Sequence, residues 1–177
     1  MSFYAMLSVI RILFFAWLML LVPEGNARAQ VIGECAPPAP ALVAALIDWI
    51  GAEGGYDVTV LRADPPAISF CRAGTVIAYE GHDLIVDPDL RAAYDARSNL
   101  IYLVEPWHET DPFDRSVLLH ELVHAAQIGA RDWPCVQAME WDAYRLQDAW
   151  LRLQGIESGF DWFEIWLLSH CPGEVHP

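Results

Sequence analysis

The chain has 177 residues, a formal net charge of −14 and a mean hydropathy of +0.25. Its ten basic residues are all Arg, so a P-loop lysine, a pyridoxal Schiff base and every other lysine-dependent chemistry are excluded. The acidic excess argues equally against nucleic acid or an anionic membrane surface as partner.

Much of the positive mean hydropathy comes from the first 22 residues. Ile12 to Val22 is an unbroken apolar run, too short to span a bilayer comfortably, and Pro23-Glu24-Gly25 follows it. Ala27-Arg28-Ala29 before Gln30 has the small-x-small pattern that signal peptidase reads. Residues 1–29 are therefore expected to be a signal peptide and 30–177 a single exported domain, periplasmic or secreted, with no stable membrane insertion after cleavage. An uncleaved anchor over Phe3 to Val22 is the competing reading. All four cysteines, Cys35, Cys71, Cys135 and Cys171, lie in the exported part, where an even count favours two disulfides among three connectivities.

Pro40 is placed to open a helix through Ala41 to Ile50, with Gly51 and Gly54-Gly55 to stop it. From Tyr56 the texture becomes short β-branched and aromatic runs between turn residues. Val58 to Leu61, Ala67 to Cys71, Thr75 to Tyr79, Leu84 to Val86 and Leu100 to Val104 read as strands of a small, mainly antiparallel sheet. After Pro106 the period is helical. Asp111-Pro112 supplies a cap and a first-turn proline for a helix lasting to Gly129. A second helix is expected from about Cys135 to Leu153, ended by Gly155, and a third from Asp161 to Ser169. The whole reads as an α+β fold.

The first of these later helices contains His120-Glu121-Leu122-Val123-His124, an H-E-x-x-H motif. Spacing of i, i+4 puts both imidazoles on one helix face, about 5–6 Å apart at Cβ, near enough to share one metal ion. Glu121 lies beside that face, where it can take a proton from a metal-activated water rather than ligate. Apolar neighbours on nearly every side predict that the helix is buried, and two His and a Glu in that setting need a shared partner. A core helix whose histidines bond to carbonyls is the structural alternative. A catalytic zinc usually takes three protein ligands. Gln127 and Ala130 stand where the metzincin pattern requires Gly and His, so that extension is absent. Downstream, Met139 to Tyr144 offers Glu140 and Tyr144 on a common face of the next helix, with Asp142 as a rival pointing elsewhere.

From His120 to about Tyr144 the chain resembles the gluzincin metallopeptidases, more the small bacterial gluzincin-like proteins than the large thermolysin type. The resemblance implies a minimal zincin-like domain with Zn²⁺ on His120, His124 and Glu140 and with Glu121 as general base. It also implies peptide or protein as the substrate, Tyr144 in place of the Asp that supports a ligand histidine, and the strand Asn99 to Glu105 as an edge that binds extended peptide by β-augmentation. Tyr102, His108, Tyr144 and His170 are candidate oxyanion donors. The expected disulfides are Cys135 with Cys171, clamping the ligand helix to the last element, and Cys35 with Cys71. A non-catalytic exported module, holding a structural metal or none and binding a partner, is the other functional reading.

Overall fold

The computed structural model describes residues 36–172. The expected signal peptide and Cys35, with its pairing to Cys71, lie outside the described residues. The elements run α1 (Pro40–Gly54), α2 (Thr59–Ala63), β1 (Ala67–Cys71), β2 (Val76–Tyr79), β3 (His82–Ile85), β4 (Ala92–Asp95), β5 (Leu100–Val104), α3 (Pro112–Ala130), a short 3₁₀ helix (Val136–Met139), α4 (Glu140–Leu153) and α5 (Trp162–Leu168). The fold is α+β. Among the described residues no helix is long and apolar enough to cross a membrane.

The strands differ from the sequence-based expectation in three respects. Val58 to Leu61 is not a strand: Thr59 N–H donates to the Asp57 carboxylate at 2.9 Å, which starts α2 instead. Burial there follows a helical step, with Val58 and Leu61 inside and Val60 exposed. The main sheet is mixed, in the order β1-β5-β4, with β1 parallel and β4 antiparallel to β5, while β2 and β3 form a separate antiparallel hairpin. β4 had no counterpart in the sequence reading, because Ala-Ala-Tyr-Asp has little strand propensity and is held by its pairing with β5 and its packing on α3. Consequently β5 lies in the centre of the sheet with both edges paired. The expected peptide-binding edge cannot be Asn99 to Glu105; the edge on the α3 side is β4.

The helices follow the sequence more closely. α1 runs through Gly51 and stops at Gly54, with Gly55 at φ +69°. A Cβ at Gly54 would lie 2.9 Å from the Tyr56 ring and 3.0 Å from Leu146, so glycine lets the end of α1 close on α4. α3 is the centre of the core. Val117, Leu118, Leu119, Leu122, Val123 and Ala126 are all buried against α1, α4 and the sheet. α4 begins at Glu140, after the 3₁₀ turn, rather than at Cys135. The Cys135–Cys171 disulfide is formed, with Cα atoms 5.7 Å apart, and joins the approach to α4 to the segment after α5.

α3 starts where Asp111 accepts Phe113 N–H at 2.7 Å, with Pro112 in the first turn. Loss of this cap in Asp111→Ala is expected to lower the unfolding free energy by about 1 kcal/mol, read as a lower urea midpoint at unchanged slope.

Candidate metal centre

α3 delivers His120 and His124 from one face, and the first residue of α4 delivers Glu140. His120 Nε2 and His124 Nε2 stand 3.0 Å apart. Glu140 Oε2 is 3.3 Å from the first and Oε1 3.5 Å from the second. One ligand atom from each of the three residues lies within 4.8 Å of the others. Glu140 reaches this point because α4 begins at that residue and packs against α3.

The far side of each ring is held by a glutamine. His120 Nδ1 is 3.0 Å from Gln147 Oε1, and His124 Nδ1 is 2.9 Å from Gln127 Oε1. The amide orientations follow from their other partners. Gln127 Nε2 donates to the Met139 carbonyl at 2.9 Å and to the Tyr56 hydroxyl at 3.3 Å. Gln147 Nε2 donates to Ser116 Oγ at 3.0 Å, and that hydroxyl itself donates to the Phe113 carbonyl at 2.6 Å. Both glutamine oxygens therefore accept, and both imidazoles donate from Nδ1. In the neutral form of each ring Nε2 then carries the lone pair. Burial, and next the neighbouring His120, push the His124 pKa down, which favours the neutral ring. Burial acts to raise the Glu140 pKa, but a hydrogen bond from His120 and positive charge on His124 and His120, when these rings are protonated, outweigh it and hold the carboxyl below its ordinary value.

Two imidazole Nε2 atoms and a carboxylate thus converge on one point. A divalent cation satisfies all of them, and a set of two imidazole nitrogens with one carboxylate oxygen suits Zn²⁺. The residues present fit the ion. Asp142, the rival ligand, turns away to the Tyr56 hydroxyl at 3.4 Å and Arg145 at 3.5 Å.

Glu121 is 7% exposed and lies beside the backbone N–H of Tyr94 on β4. Burial, reinforced by Glu140, pushes its pKa up to about 7 against the opposing effect of His124. It lines a cleft of about 720 Å³ together with His120, His124, Glu140, Tyr79 and Tyr144. Of the four candidate oxyanion donors, only Tyr144 lines this cleft. Burial and then the carboxylates Glu140 and Glu121 raise its pKa, so the phenol keeps its proton. Its ring meets His120 edge-on, centroids 4.6 Å apart, yet the acceptor for His120 Nδ1–H is Gln147 Oε1, three residues further along α4. Tyr79 donates to the Tyr94 carbonyl at 3.3 Å, which brings the β2–β3 hairpin to the cleft.

The sequence reading did not assign Gln127, Gln147, Tyr79 or Tyr94 to the site. Gln147 had a faint signal, because it lies seven residues after Glu140 and so shares its helix face. The two tyrosines had none, since their places depend on β4 and the hairpin.

The site and fold define an α+β domain with a His/His/Glu set at an open cleft. The chain belongs to the family described as Domain of unknown function (DUF6647), whose model matches residues 35–177. No curated protein and no solved structure matched.

If this set is a metal centre, wild type is expected to hold about one zinc per chain. His120→Ala/His124→Ala should retain none, and Glu140→Ala should bind more weakly by more than about tenfold, as read by elemental mass spectrometry and competition with a chelator.

Proposed function

We propose that the protein is an exported zinc-dependent metallopeptidase of gluzincin-like type. The observation that carries this reading is the convergence of His120 Nε2, His124 Nε2 and the Glu140 carboxylate on one point beside buried Glu121. Zn²⁺ there would supply a Lewis acid that acidifies a water and polarises the carbonyl under attack. Glu121, buried on the cleft wall, takes the proton of the attacking water on its carboxylate. It then returns that proton to the amine nitrogen as the C–N bond breaks. The second role needs the carboxyl to stay within reach of the departing group, which its place on the cleft wall allows. Tyr144, on the same wall, carries a protonated phenol near the site where negative charge develops.

Catalysis is favoured over a structural metal by two features. Among the described residues the candidate ligand group contains three side chains, which leaves a coordination position for water. The group also faces a cleft of about 720 Å³ rather than closed core. Peptide, rather than another hydrolysable bond, rests on the gluzincin resemblance of His120 to Tyr144. Export is supported by the Cys135–Cys171 disulfide, which persists in oxidising compartments.

Glu121→Gln is expected to keep zinc and fold while losing about 10²-fold or more of the hydrolysis of any peptide that wild type cleaves. Full activity in that variant would remove Glu121 from the mechanism. Intact-mass analysis of the exported product is expected to place its first residue at Gln30; a start at Met1 would favour the uncleaved anchor.

A further inference from the structure

Both ligand imidazoles are held by neutral carboxamides, and each carboxamide also bridges toward the other ligand helix. Gln127 on α3 links His124 to the carbonyl of Met139, the residue immediately before Glu140. Gln147 on α4 links that helix to His120 and Ser116 on α3. Gln127 and Ser116 are fully buried and Gln147 is 4% exposed. We propose that Gln127 and Gln147 are positioning residues that hold both rings in the Nδ1–H form, so that the two Nε2 lone pairs are aimed at one point before any ion arrives. This rests on the metal reading of the site for its purpose, but not for its geometry.

An unconstrained neutral imidazole carries its proton mainly on Nε2, the atom that would have to ligate here. Each ring must therefore be given an acceptor at Nδ1 to present its Nε2 lone pair. A backbone carbonyl or a carboxylate would serve that single purpose. An amide serves a second one, because its nitrogen donates on the other side. At position 127 this second role is required: a carboxylate would place an anion against the Met139 carbonyl, with no donor between them. At position 147 the partner is a hydroxyl, which can turn and donate to a carboxylate oxygen instead. Neutrality matters as well. Glu121 and Glu140 already lie at the cleft, and further buried anions beside them would raise the desolvation cost of the metal-free state. The two glutamines thus orient the rings and set the distance between the helices that carry all three ligands.

The two positions are expected to respond differently to the same substitution. In metal-free protein from Gln30 onward, long-range ¹H–¹⁵N spectra of the imidazoles should show His120 and His124 both as Nδ1–H. Gln147→Met should return His120 to a mainly Nε2–H ring and weaken zinc binding by about 10- to 100-fold. Gln147→Glu should restore the Nδ1–H ring and bind zinc within a few fold of wild type. Gln127→Glu should fail to do so for His124. An Nε2–H ring at either histidine of the metal-free wild type would overturn the proposal, even if no glutamine variant folds. So would a folded Gln147→Met that binds zinc as tightly as wild type, since a merely structural glutamine would leave ring and affinity unchanged. Nδ1–H rings in a wild type that takes up no zinc would uphold the positioning role and instead defeat the metal reading.

Discussion

Two imidazole nitrogens 3.0 Å apart with a carboxylate beside both form a buried cluster of ligand atoms that one cation can satisfy together. Much of the surrounding structure serves to maintain it. The glutamines deny the rings the alternative tautomer, Ser116 and the Met139 carbonyl deny the glutamines a flip, and the packing of α4 on α3 brings the carboxylate within reach. Removing one member would release a buried polar group elsewhere, so these residues act as a network rather than as separate contacts.

α3 is suited to this load because it is buried on nearly every side. Leu118, Leu119, Leu122 and Val123 are fully enclosed, so the helix has little freedom to rotate and the directions of His120 and His124 are set by the core. α4 has a different character, with an apolar face on α3 and a polar face outward, and is located by Ala143, Leu146 and Leu151. The disulfide and the 3₁₀ turn lie on the connection between these helices and the last element, where they limit how the chain enters α4 at Glu140. Rigid helices thus carry the candidate ligands.

The opposite wall of the cleft is built from β4 and the β2–β3 hairpin. The carbonyl of Tyr94 accepts from the Tyr79 hydroxyl, so a hairpin side chain covers this edge beside Glu121.

The features legible in the chain alone are local ones. The H-E-x-x-H spacing places His120, Glu121 and His124 through helix geometry alone, and Asp111-Pro112 and Gly55 mark helix ends because a cap and a left-handed residue act within a few residues of chain. Glu140 was visible as a carboxylate at the start of the next helical pattern, though its approach to the histidines required the packing of two helices. The tertiary structure decided the rest. Ala92 to Asp95 is a strand because β5 and α3 flank it, Thr59 to Ala63 a helix because Asp57 starts one and the core accepts that step, and β1 pairs parallel with β5 across the intervening hairpin and β4. Gln127 and Gln147 follow the same rule. An amide in a helix carries no functional mark in sequence, and it becomes part of a site only when a second helix places an imidazole against its oxygen and a hydroxyl or carbonyl against its nitrogen.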